Sequence, residues 1–380
     1  MNVRSVATLA VFLFIAPVAG AQTVALSEFS LESRGSVADG DSSVVFETVA
    51  GLSLWFIPTD WVRIRGRALA LVPDTESFFW RLGGDTDPGF LLFDGAEIVF
   101  PSVNESDVSL TLFTGYLDNP SSGTFLREAL KVRVDDPEFH GMPAGTAFAP
   151  GTEIDGTGFA ITVIPGSRSF AFAGYSYWNE RSGENAAFTV DARLVADGRT
   201  ASVNAFSGAY VKPGTYDVAF RAGATALFRS EGGHELYAGA GFKGVKANLG
   251  DLERNLYLLF EPRLHLGMTD LVISFFSSPV YPLASDDENL AEAEETYLGL
   301  NLLVAYGRLR ENGVRTGISL LGCVNPEDPS TVTPFSFSVS PFVSFLVSDY
   351  EVALTAVLNP LQIDDPSKAG ELRFLLKAVF

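Results

Sequence analysis

Residues 334–346 read PFSFSVSPFVSFL. One set of alternate residues is apolar throughout: Phe335, Phe337, Val339, Pro341, Val343 and Phe345. The set between them is Ser336, Ser338, Ser340, Phe342 and Ser344. A period of two belongs to the β-strand, whose successive side chains point to opposite faces. The run is also long, since strands of globular proteins have a mode of roughly 5–6 residues. A tilted strand of roughly 9–11 residues crosses a bilayer. The stretch therefore reads as a strand with one face in lipid and the other on a polar interior.

The same pattern continues in both directions. In WVRIRGRALALV, residues 61–72, Arg63, Arg65 and Arg67 share a face opposite Val62, Ile64, Gly66, Ala68 and Ala70. Residues 215–228, TYDVAFRAGATALF, oppose Asp217 and Arg221 to Tyr216, Val218, Phe220, Ala222 and Phe228. The chain closes on ELRFLLKAVF, residues 371–380, with Leu372, Phe374, Leu376, Ala378 and Phe380 on one side. Glu371, Arg373 and Lys377 lie on the other. Register is strongly set in such strands. A one-residue slip of 61–72 would place three arginines in lipid, at roughly 2–4 kcal/mol each near the midplane.

Counting these runs predicts strands near 23–33, 43–57, 61–72, 90–100, 107–117, 154–164, 168–178, 185–196 and 200–211. Further strands fall near 215–228, 234–243, 255–265, 269–278, 295–306, 313–322, 334–346, 350–358 and 371–380. The total is about 18, an even number as in bacterial single-chain barrels, with about 16 the alternative if weak segments such as 90–100 do not pair. Short turns at 58–60, 165–167, 197–199, 266–268 and 347–349 alternate with longer connections at 73–89, 118–153, 279–294, 323–333 and 359–370. Short periplasmic turns and long outer loops are the rhythm of an outer-membrane barrel. Aromatic residues near strand ends suggest two girdles. Trp55, Trp61, Tyr306, Tyr350 and Phe380 fall at the inner one, and Tyr177, Trp178, Tyr210, Tyr216 and Tyr297 at the outer.

Composition fits this reading. The 380 residues are 47% hydrophobic and include 31 Phe, yet the net charge is −20. Residues 1–21 combine Arg4, an apolar run and a small-x-small close at Ala19-Gly20-Ala21, the pattern of a secretory signal peptide. This leaves 22–380 as one barrel domain, in which a strand follows the signal with no plug between. A single retained membrane anchor is the alternative reading of that segment. Cys323 is the only cysteine, so no disulfide forms within the chain. The acidity argues against nucleic acid as a partner, because phosphate binding needs clustered Lys and Arg. No motif for a cofactor, a metal or a catalytic set stands out. His140, His234 and His265 sit in no recognisable site, and the acidic loop clusters lack EF-hand spacing.

With the signal segment, the alternating strands, the loop rhythm and the terminal FLLKAVF, the chain resembles the bacterial outer-membrane β-barrel superfamily, and within it the porin-like proteins. The resemblance covers nearly the whole mature chain. It implies an all-β, antiparallel up-and-down transmembrane barrel in the cell outer membrane, in contact with outer-membrane lipids. A last strand ending in Phe380 resembles the assembly signal read by the barrel-insertion machinery. It also implies a non-enzymatic channel for passive diffusion of small hydrophilic solutes. Two alternatives stand beside it: a carrier for hydrophobic ligands resembling long-chain fatty-acid transporters, favoured by inward Phe342, Leu303 and Leu375, and a surface structural or adhesion barrel.

Parity assigns pore-lining positions to Arg63, Arg65, Arg67, Asp191, Arg193, Asp217, Arg221, Glu261, Arg263, Glu351, Glu371, Arg373 and Lys377. The connection 118–154 is too long to be without a role. Its piece TFLREALKVRV predicts an amphipathic helix, with Thr124 as cap and Leu126, Ala129 and Leu130 on the wall. Arg127, Glu128 and Lys131 would then face water. Asp135, Asp136 and Glu138 would oppose the basic wall across a constriction at the barrel mouth. A mobile external loop is the alternative.

Overall fold

The computed structural model describes residues 23–37, 44–72, 90–101, 107–120, 122–132, 153–166, 169–179, 187–213, 217–246, 252–280, 295–325 and 335–378, with 134, 137 and 139. The strands in order are β1 (Thr23–Val37), β2 (Val44–Thr59), β3 (Val62–Val72), β4 (Phe90–Phe100), β5 (Val108–Asp118), β6 (Ile154–Val163), β7 (Phe170–Asn179), β8 (Ala187–Asp197) and β9 (Ala201–Val211). They continue as β10 (Val218–Arg229), β11 (Glu235–Lys246), β12 (Leu256–Leu266), β13 (Thr269–Val280), β14 (Glu295–Tyr306), β15 (Val314–Val324), β16 (Phe335–Val347), β17 (Tyr350–Leu358) and β18 (Gly370–Ala378). Each pairs antiparallel with its neighbours in sequence, and β1 pairs with β18, so the sheet closes without an edge. The count is eighteen, and 90–100 is a full member.

Closure accounts for the alternation. Outward side chains form a continuous apolar belt: Leu52 on β2, Phe159 on β6, Phe188 on β8, Phe220 on β10, Phe260 on β12, Leu300 on β14, Phe345 on β16 and Leu372 on β18 are all exposed. An exposed apolar band of this extent is a lipid surface. Among the described residues no helix is long and apolar enough to cross a membrane.

Four girdle assignments change. Trp61, Tyr306 and Tyr350 are exposed at the short-turn end, and Trp178 is exposed toward the other. Trp55, by contrast, faces the interior, with the Arg65 guanidinium stacked 4.9 Å over its ring. Tyr177 and Tyr210 are buried inside, and Tyr297 packs on an interior cluster. Tyr216 lies outside the described residues.

The connection between β5 and β6 does not stay at the mouth. Its helix α1 (Thr124–Leu130) lies inside the barrel, with Leu126, Ala129 and Leu130 packed on Ala171 and Val195. Ala171 is the second residue of β7 and Val195 lies two before the end of β8, so the helix reaches the short-turn end. Gly123, not Thr124, is the N-cap; the Ser122 hydroxyl accepts the Thr124 amide at 3.4 Å. The helix ends on Lys131, held in the left-handed region at φ 61°. Val134 and Phe139 pack on Leu227, Tyr237, Leu259, Phe276, Leu321 and Cys323 of the far wall, with the Phe139 ring edge-on to Phe276 at 5.5 Å.

Candidate functional site: an off-centre passage

On the β7–β16 side, inner-face residues such as Val195, Leu227, Tyr237, Leu259, Phe276 and Leu321 are buried. On the other side, among the described residues, lie cavities of about 770 Å³ and 420 Å³. The larger is bounded by the middle of β1, β2 and β3, by Glu351 and Lys377, and by Arg127, Glu128 and Lys131 of the loop. The smaller lies toward the short turns, between Trp55, Ile57, Arg63, Val99, Thr162 and Ile164. Arg65, Leu117, Asp118, Glu128 and Lys131 line both, so the two cavities adjoin at this junction.

Arg65 is the centre of this junction. It pairs with Glu97 across the β3–β4 ladder at 2.5 Å and with Glu128 of α1 at 3.5 Å. Arg67 stacks over Tyr116 at 5.0 Å. Tyr116 and Asp118 reach the interior because β5 changes parity. Leu112 and Thr114 face outward, but Gly115 takes φ 79° opposite the bulge that holds Asp94, and the residues after it turn inward. Only glycine adopts this region at little cost.

The root of the loop is fixed by Arg193. Its guanidinium pairs with Asp118, donates to the Ser122 carbonyl at 2.7 Å and to Asn204 Oδ1 at 3.0 Å, and lies 4.8 Å over the Phe125 ring. Asn204 in turn donates to the Pro120 carbonyl at 2.8 Å. A second network crosses three strands. Asp191 on β8 and Arg221 on β10 are both in register with Gly208 on β9, and they bond over it at 2.8 and 2.5 Å. Tyr177 accepts from Arg221 at 2.5 Å. A Cβ at position 208 would lie 1.7 Å from Asp191 Oδ1, so any larger residue must displace that carboxylate. Glu261 accepts from Arg263 at 2.8 Å and from Ser274 at 2.6 Å.

The thirteen positions assigned by parity thus separate into groups. Arg63, Arg65, Arg67, Glu351 and Lys377 line the cavities. Asp191, Arg193, Arg221, Glu261 and Arg263 are on the inner face but buried in the networks above, so they meet no open passage. Alternation says which way a side chain points, not what covers it. Glu371 and Arg373 pair with each other at 2.8 Å and border neither cavity. Asp217 precedes β10 and is exposed in the β9–β10 connection, where the Lys212 amide donates to its carbonyl at 3.0 Å. Of the loop residues, Arg127, Glu128 and Lys131 face the cavities, whereas Asp135, Asp136 and Glu138 lie outside the described residues, as does Phe380. Leu303 and Phe342 are sealed in a cluster with Ala305, and so offer no apolar lining. Glu97, Asp118, Trp55 and Asn204 were not anticipated. Glu97 sits in the weak 90–100 segment, and Asp118 follows the parity change at Gly115. Among the described residues no group of acidic, His or Cys side chains is arranged to hold a metal ion.

No family model and no curated protein matches the sequence. Solved structures do match the fold. The outer membrane protein OpdK of Pseudomonas aeruginosa aligns over 94% of this chain and 98% of its own, with TM-score 0.55 and 11% identity. Wzi of Escherichia coli, described as an outer membrane protein involved in group 1 capsule assembly and a carbohydrate-binding β-barrel, aligns over 98% of this chain and 87% of its own. Its TM-score is 0.51 and its identity 8%. At these identities the likeness establishes a shared barrel fold.

Proposed function

We propose that this outer-membrane β-barrel is a passive diffusion channel for small hydrophilic solutes, with its passage displaced to the β1–β6 and β17–β18 side. The observation that carries the reading is the pair of charged cavities meeting at Arg65, Glu128 and Lys131. A folded loop that narrows a polar lumen without filling it is a device for sieving solutes by size and charge. A water-filled path needs ions and hydroxyls on its walls, and both cavities have them. The sealing of Leu303 and Phe342 removes two of the three inward residues that favoured an apolar carrier.

A second reading is supported by the packed β7–β16 half. A barrel filled to that extent also suits a surface protein that binds its ligand without conducting, and Wzi, described as carbohydrate-binding, shares the fold. Planar-bilayer recording of the purified full-length protein separates the two. Stable unitary conductance steps are expected for the channel. Silent insertion, with folded protein present in the bilayer, would favour the second reading.

A further inference from the structure

The walls of the two cavities carry charges that are unequally satisfied. Glu97 and Glu128 are paired with Arg65, and Asp118 with Arg193. Asp94 and Glu351 each have partners of their own. Glu28 is the remaining acidic group on these walls, and among the described residues no ion pair engages it. Among the described residues, five cations on the same walls have no carboxylate within ion-pair distance: Arg63, Arg67, Arg127, Lys131 and Lys377. Arg127 and Lys131 are exposed on the loop, and Lys131 is the one of the five that borders both cavities. Its left-handed backbone at φ 61° is unusual for a residue other than glycine, and it places the ammonium at the end of the helix, over the junction.

The geometry points to a passage that selects small organic anions carrying a carboxylate or phosphate group, with Lys131 as the residue each solute must pass. This rests on the channel reading above and names its substrate class. The inference runs against the bulk charge of the protein, −20, which by itself would draw cations. Local charge prevails because a narrow, low-dielectric path senses the groups on its own wall, while exposed charges farther than about 10 Å are screened at moderate salt. Carboxylate and phosphate oxygens also match the guanidinium donors of Arg63, Arg67 and Arg127.

The test uses the full-length protein in a neutral-lipid bilayer under a potassium chloride gradient. The reversal potential should show chloride preferred over potassium. Millimolar succinate or inorganic phosphate should reduce the chloride current, the stronger of the two identifying which group the site prefers. Lys131→Glu reverses one charge at the junction and should lower the chloride-to-potassium permeability ratio by about fivefold or more. Lys131→Gln should give a smaller change in the same direction. Conductance with potassium preferred, or with neither anion reducing the current, would overturn this inference and leave the channel standing. Absence of any conductance would overturn the channel reading and this inference with it. The wild-type reversal potential decides the sign without any variant having to fold.

Discussion

Gly208 shows how one residue without a side chain holds three strands together. Asp191 and Arg221 belong to strands that do not touch, and they meet only because the strand between them is bare at that point. Both groups are buried. Separating a buried ion pair leaves charge unmatched in a dry place and costs roughly 3–5 kcal/mol. Gly208→Ala should therefore destabilise the folded barrel by about that amount. The shift would be read as an earlier urea midpoint in heat-modifiable gel migration. An unchanged midpoint would mean that Asp191 finds another rotamer at no cost.

At the scale of the element, α1 is too short to persist alone in water, where isolated helices below about 12–15 residues are marginal. It persists because Leu126, Ala129 and Leu130 bury on β7 and β8 while Arg193 grips its approach. Leu126 is buried to 2% exposure. Leu126→Asp removes roughly 1.5–3 kcal/mol of apolar burial and adds a carboxylate to a dry contact. The helix should leave the wall, merging the two cavities, so unitary conductance should rise and the open current become noisier. A folded Leu126→Asp variant with wild-type conductance steps would show that this face does not hold the loop in the passage.

For the whole molecule, the two ends of the barrel differ: connections such as those at 60–61, 267–268 and 348–349 are short, and the longest, at 73–89, 119–153 and 281–294, are at the opposite end. We expect the short turns to face the periplasm, as the length alternation suggests. Cys323 is 1% exposed, packed against Leu321 and Phe276, and is first replaced by Ser. Single cysteines at Glu231, in the β10–β11 turn, and at Gln362, between β17 and β18, then report on orientation. In intact cells a membrane-impermeant maleimide should label position 362 and spare 231. The reverse pattern would invert the barrel in the membrane.

The sequence alone determined the strand number, the strand limits to within a few residues and the outward face of the barrel. All of these follow from a period of two, which is local, and from the cost of turning charge into lipid. The amphipathic pattern of 124–131 was equally local. What the tertiary structure decided is which inward charges meet water. Arg193 and Arg65 have the same parity and the same chemistry, yet one is sealed beneath the loop and the other borders both cavities. That difference depends on where a loop from β5 comes to rest, on strands two apart meeting over Gly208, and on a parity change at Gly115. Each is set by residues distant in sequence, through packing and the pairing of buried charge, and no reading of the local pattern contains it.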